Sequence, residues 1–247
     1  MTRPVITLPP LAAPVDELWH ALLDLDEQLT APWTLVGGQM VLLHALEHGQ
    51  VPPQVSQDGD VVADVRAQRS AIKQVVAQLE SMGFELDGMS PDLLAHRYAR
   101  LTQYTAVKVD VLAPEGVGQR ADLTTTRPGR TVQVPGGTQA LDRTERVTVL
   151  HEGRTGTVPR PSLLGALVAK GAACGLPGDS SRHLRDLALL CALVPDPFTM
   201  VDEMTKKDKK RIRLAAVLHD EAHPAWQLVP TGIRGQGRAA YQILTAD

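Results

Sequence analysis

Trp33-Thr34-Leu35-Val36-Gly37-Gly38-Gln39-Met40-Val41-Leu42-Leu43-His44-Ala45-Leu46 changes its period midway. The first four residues are a short apolar run with the side chains of a strand, Gly37-Gly38 breaks it, and from Gln39 the apolar positions recur at helical spacing until near Gly49. The stretch reads strand, glycine turn, helix. Glycines at such a junction let backbone amides come close to an anion, and the helix N-terminus adds favourable partial charge. The same pair also suits a plain strand-to-helix turn, so its meaning depends on what surrounds it.

Downstream lies Ser56-Gln57-Asp58-Gly59-Asp60, at the entrance of a strand-like run over 61–65. At i, i+2 in an extended chain Asp58 and Asp60 point to one face and can share an ion. A third carboxylate, Asp110, interrupts the apolar alternation of Val107-Lys108-Val109-Asp110-Val111-Leu112, and a neighbouring strand can bring it to the pair. Magnesium takes oxygen ligands and keeps several waters, so two or three carboxylates plus a triphosphate complete its shell. Two such ions stabilise the charge that develops on phosphate oxygens in nucleotidyl transfer. Carboxylates this close raise one another's pKa unless a cation compensates them. Taken alone, Asp-Gly is equally a common turn dipeptide.

Working outward, 14–29 predicts a helix behind Pro14 with an acidic first turn, and 66–82 a second amphipathic helix ending at Gly83. Residues 95–101 and 105–112 predict two strands joined by a turn at Gln103-Tyr104. The stretch 116–156, rich in Gly, Thr and Arg with alternating valines, reads as turns plus one or two peripheral strands. From Pro159 the texture becomes helical, over 163–174, 180–194 and 202–220, and 224–247 has no clear assignment. The expected fold class is α/β (α+β): a mixed sheet with packed helices over 1–157 and a helical C-terminal subdomain over 158–247.

The 247 residues are 43% hydrophobic and 21% charged, the composition of an ordinary folded protein. A net charge of -3 argues against whole-surface attraction to nucleic acid, so any polyanion would be met by a patch. The basic run 206–213 offers one such patch, although contiguous charges more often make a solvated helix face. Cys174 and Cys191 lack CxxC spacing and read as buried reduced thiols. The N-terminus does not resemble a signal peptide and no apolar run approaches the roughly 20 residues of a membrane span, so a cytoplasmic protein is expected. His219 and His223 stand at i, i+4 but without HEXXH order, which points to capping or surface roles, while His44 and His183 read as packing residues. There is neither a GxSxG elbow nor a Walker A loop.

In their order, Leu35-Val36-Gly37-Gly38-Gln39, a helix, Asp58-x-Asp60 and the strand aspartate Asp110 resemble the polymerase-beta-type nucleotidyltransferase superfamily. Val158-Pro159-Arg160-Pro161-Ser162-Leu163-Leu164, then Lys170, then Arg182-His183-Leu184-Arg185-Asp186-Leu187 is similar to its AbiEii/AbiGii toxin group and that group's mycobacterial MenT relatives. The resemblance implies that Gly37, Gly38 and Lys170 hold the NTP triphosphate, that Asp58, Asp60 and Asp110 bind two Mg2+ ions, and that Asp110 can instead act as base. It further implies that Asp186 orients Lys170 or the acceptor. A tRNA end as acceptor and a protein antitoxin as partner follow from the toxin group. An aminoglycoside-type small-molecule acceptor is the alternative, and a weakened nucleotide- or partner-binding member is another. The chain departs from the family at Gln54, where an arginine-like residue is usual, and at Gly59, where a bulky apolar residue is usual. Gly59 is therefore expected to loosen the strand and disturb the metal pair.

Overall fold

The computed structural model of the chain describes residues 4–52, 54–103, 105–118 and 120–246. Thr2, Arg3, Pro53 and Tyr104 of the expected turn lie outside the described residues. A two-residue strand, β1 (Ile6–Thr7), precedes helix α1 (Ala13–Gln28), which starts with proline in its first turn and Asp16 beside it. Val15, Leu18, Trp19, Leu22 and Leu25 form its buried stripe. Next come β2 (Trp33–Val36) and α2 (Gly37–Glu47), so the helix opens on the first glycine itself.

Strand β3 (Asp58–Ala63) contains the Asp-Gly-Asp sequence within its ladder, not ahead of it. Helix α3 (Ala71–Ser81) starts later than its pattern suggested. Asp64 accepts hydrogen bonds from the backbone N–H groups of Arg66 and Ala67, and that local turn outcompetes helix over 64–70. β4 (Glu85–Leu86) is followed by the antiparallel pair β5 (Arg97–Leu101) and β6 (Ala106–Pro114), as expected for the hairpin. The stretch 116–156 carries the expected strands and a helix besides: β7 (Gln133–Val134), α4 (Gly137–Asp142), β8 (Thr144–His151) and the start of β9 (Arg154–Pro161).

The strands make two sheets. One has the order β2-β3-β6-β5-β4, with β7 pairing β6, and the other β1-β8-β9. The first is mixed, since β3 runs antiparallel to β2 and parallel to β6. Helices follow: α5 (Leu163–Ala173), α6 (Ser181–Ala192), α7 (Pro197–Glu203), α8 (Lys206–Ile212), a 3-10 turn over Arg213–His219, α9 (Pro224–Gln227) and α10 (Thr231–Thr245). The expected helix over 202–220 is divided because Thr205 and Asp208 form a capping box that starts a new helix.

One core gathers α1, α3 and the strands, and a second gathers α5, α6, α8, α9 and α10 around Trp226 and Tyr241. Helix α2 serves both, with Leu42 and Leu43 in the first and Met40, Val41 and Ala45 in the second. Arg160 of β9, fully buried, pairs with Glu47 of α2 and Glu145 of β8. No helix among the described residues is long and apolar enough to cross a membrane.

Candidate active site

Register brings the carboxylates together. Asp60 pairs with Val36 of β2 on one side and with Asp110 of β6 on the other. Directly paired residues project to the same face of a sheet, so Asp60 and Asp110 stand side by side, with Asp58 two residues back along β3 on that face. The face is the one under the N-terminus of α2. Gly37 has φ +69, a left-handed conformation, and a Cβ there would lie 1.7 Å from Oδ2 of Asp60. Only a glycine lets the backbone of α2 come this near. A Cβ on Gly38 would meet Ser56 Cβ at 2.4 Å. The loop before β3 is held in turn: Gln39 donates to the Ser56 carbonyl at 2.6 Å, and the Ser56 hydroxyl donates to Asp58.

Gly59 points the other way. A Cβ on it would meet Leu18 Cδ1 of α1 at 3.0 Å and Leu22 Cδ2 at 3.6 Å, so glycine here admits the helix that backs the strand. Gly59 nevertheless keeps its ladder place opposite Val109. The expected loosening of the strand is not seen, because helix packing, not disorder, fills the space a side chain would take. Gln54 accepts a hydrogen bond from Arg185 of α6.

Sequence reading named Lys170 but missed Arg97. Arg97 of β5 stands opposite Asp110 and donates to it in a fork, Nε to Oδ1 and Nη2 to Oδ2 at 2.8 Å each, while its Nη2 lies 3.9 Å from Asp58. The paired Asp110 holds the Arg97 guanidinium above its ordinary pKa. The signal was present, since an antiparallel 97–101/106–110 hairpin sets residue 97 against residue 110. From the helical half, buried Lys170 of α5 reaches Asp186 of α6, with Nζ 2.6 Å from Oδ2. Arg182 lies one helical turn before Asp186, on the same side of α6.

Two cavities meet at the carboxylates. A cleft of about 630 Å³ is lined by Ser56, Asp58, Lys108, Arg182, Arg185 and Asp186, among others. A chamber of about 210 Å³ is lined by Asp60, Asp110, Lys170 and His183, with apolar walls that include Val36 and Leu112. Gly38 and Arg182 border both. All seven residues read from the sequence, Gly37, Gly38, Asp58, Asp60, Asp110, Lys170 and Asp186, thus border one or both of these spaces.

Burial, then the charges of Asp58 and Asp110, push the Asp60 carboxyl up to about 6, against the opposing pull of Lys170 and Arg182. Burial, then Lys170 and Arg182, push His183 down to about 4. His183 is therefore neutral at physiological pH.

No protein-family model matches the chain, and no curated protein matches it by sequence. Among solved structures it is similar to the crystal structure of an antigenic nucleotidyltransferase-like protein from Paracoccidioides brasiliensis. The TM-score is 0.54 at 16% identity, over 91% of this chain and 93% of that one. The fold is nucleotidyltransferase-like. At that identity the likeness carries the fold alone, and the chemistry of the chain rests on its own residues.

Other candidates take structural places. His223 accepts a hydrogen bond from Ala225 and caps α9, His219 packs edge-on against Tyr241, and His44 bonds the Pro161 carbonyl. In the basic run, Arg211 pairs with Glu115, Arg213 donates to the Thr245 carbonyl and Asp208 is buried against Arg143, leaving Lys206, Lys207 and Lys210 exposed. Burial raises both cysteine thiols, Cys174 to about 11, so both stay protonated.

Proposed function

We propose that the chain is a divalent-metal-dependent nucleotidyltransferase, which moves a nucleoside monophosphate from an NTP to an acceptor hydroxyl and releases pyrophosphate. The observation that carries this reading is the in-register pair Asp60 and Asp110, with Asp58, set beneath the glycine-opened N-terminus of α2. The donor set fits magnesium: three carboxylates converge, and burial, then the charges of Asp58 and Asp110, raise the Asp60 carboxyl, a cost that a bound cation would relieve. When bound there, the metal supplies charge stabilisation to the phosphate oxygens.

The chain's own groups do the rest. Amides at the start of α2 face the phosphates, and Gly37 and Gly38 keep that approach open. Lys170 and Arg182 supply cations to the departing pyrophosphate, and Asp186 fixes the Lys170 ammonium in place. Asp110 accepts the hydrogen bond, and then the proton, of the attacking hydroxyl as its oxygen bonds the α-phosphorus and the bond to pyrophosphate breaks. Arg97 leaves each Asp110 oxygen a further lone pair for that purpose.

The acceptor we favour is a tRNA end, with the chain acting as an AbiEii/MenT-like toxin beside a protein antitoxin. The resemblance around Lys170 and Asp186 supports it, and so does the cleft, where Lys108, Arg182 and Arg185 stand beside Asp58 and Asp186 and can meet backbone phosphates. The test incubates the protein with α-labelled NTPs, magnesium and total tRNA, beside Asp58→Ala. Labelled tRNA in the wild type alone is the expected result. Label on an aminoglycoside instead would move the acceptor, and NTP binding without pyrophosphate release would support the weakened, non-catalytic member.

A further inference from the structure

Away from the carboxylate site, the outer face of α1 docks on the β8–β9 hairpin through a stripe of polar residues at helical spacing: Asp16, His20, Asp24 and Glu27. At its C-terminal end the stripe meets a guanidinium group, with Arg154 bonding Asp24 at 2.6 Å and Glu27 at 2.7 Å. The N-terminal end is built differently. There Asp16 and His20 face His151, the last residue of β8, and Glu152 of the turn, so that two carboxylates meet two imidazoles and no guanidinium or ammonium among the described residues bonds either carboxylate.

The geometry points to a transition-metal site, with zinc the best match, whose ligands are Asp16, His20, His151 and Glu152. One ligand atom from each lies within 4.8 Å of all the others. Nε2 of His151 is 3.0 Å from Asp16 Oδ1, and Nε2 of His20 is 3.3 Å from Glu152 Oε2. Ligand atoms about 3.3 Å apart are what a tetrahedron with metal–ligand bonds of about 2.0–2.1 Å requires. The wider separations must close by side-chain rotation, for which Glu152, whose side chain is 61% exposed, has room.

The donor set, two imidazoles and two carboxylates, suits zinc better than magnesium or calcium, which prefer all-oxygen shells. His151 is 2% exposed, so one of the four ligands is already fixed within the fold. Glu152 also stands where glutamate is costly: it has φ +45 and the following Gly153 φ +81, a two-residue hairpin turn that favours Asn, Asp or Gly at its first position. A ligand role accounts for a carboxylate with this reach at that position. Bound metal replaces the hydrogen-bonded protons between rings and carboxylates and clamps α1 to the hairpin. α1 is the helix that backs Gly59 through Leu18 and Leu22, but the metal site neither borders nor depends on the proposed NTP site.

The test is calorimetric titration of the metal-free protein with zinc chloride, with cobalt(II) as a spectroscopic stand-in. Wild type is compared with His20→Ala, Glu152→Gln and the double variant Asp58→Asn with Asp60→Asn. One zinc per chain is expected at this site, with a visible tetrahedral cobalt band. His20→Ala and Glu152→Gln should lose both, with affinity falling beyond the roughly 10–100-fold typical of losing an outer-shell partner. The double variant should keep the site, so that failure of the NTP chemistry and failure of this site are told apart. Zinc binding kept in His20→Ala and lost in the double variant assigns the ion to the carboxylates of β3 and overturns the proposal, as does the lack of zinc binding in wild type. Both single variants alter solvent-facing side chains, and circular dichroism checks that they fold.

Discussion

Single residues decide how close the parts of this site can come. At Gly37 a methyl group would collide with Asp60 and would also sit at a positive φ that L side chains rarely adopt. Gly37→Ala is expected to lower nucleotidyl transfer by about 100-fold, the scale of a 1 Å misplacement of reacting groups. Single-turnover rates beside circular dichroism check this, and near-wild-type turnover would show that α2 need not approach Asp60. Asp60 itself carries a cost. Its pKa, raised from 3.8 in the unfolded chain to about 6, means the folded state holds the proton more tightly. The contribution of Asp60 to the stability of the metal-free protein therefore falls as pH rises from about 4 to about 6, by the linkage of proton binding to folding, while that of His183, held neutral in the fold, rises over nearly the same range. Asp60→Asn should raise neutral-pH stability by roughly 1–2 kcal/mol, with solvent access trimming the full shift, and the gain should vanish near pH 4. Denaturation in chelator at several pH values measures it. The carboxylates were legible in sequence because their spacing alone puts Asp58 and Asp60 on one face. Arg97 was overlooked, since finding it takes the register of the expected hairpin carried across its turn as well as the spacing within one strand.

Elements explain what residues alone do not. Read in isolation, Gly59 weakens a strand, but with α1 in place it is the position that lets Leu18 and Leu22 sit against β3. Gly59→Val should therefore overpack the helix–strand contact and cost about 1–3 kcal/mol. Leu18→Ala should recover part of that loss in a double-mutant cycle, although alone it destabilises, and strictly additive effects would show that the two do not share the space. Long periodic elements such as α1, α2 and the β5–β6 hairpin were readable because each repeats its apolar pattern over several turns or alternations. In 116–156 the elements are short and glycine-punctuated, so α4 gave no period to count and the valines of β8 suggested only peripheral strands. Over 202–220 the period ran on through a break, because a capping box changes hydrogen bonding without changing hydrophobic pattern.

At the scale of the whole molecule, the site exists because two cores are held against each other. The sheet side supplies the carboxylates, and α5 and α6 supply Lys170, Arg182 and Asp186. The 157/158 boundary expected from the change in texture falls inside β9, whose residues 159–161 pair with 144–146 of β8. Composition marks where helices begin, but it does not register a strand that continues one ladder into the next segment. Helix α2 joins the halves further, because Met40 and Val41 are buried in the helical core while Leu42 and Leu43 are buried in the sheet core. Each such side chain contributes about 1.5–3 kcal/mol on burial, so neither half can open without exposing part of the other's core. Unfolding should then be a single transition. The tryptophans separate the two regions, with Trp19 and Trp33 in the sheet core and Trp226 in the helical core. Fluorescence of a variant carrying Trp19→Phe and Trp33→Phe reports the helical half, that of Trp226→Phe reports the sheet half, and far-UV circular dichroism reports both. In each variant the fluorescence and dichroism midpoints in urea should coincide. If the helical half melts first within one variant, α2 does not couple the cores, and Lys170 and Arg182 then belong to a part that can leave the carboxylates independently.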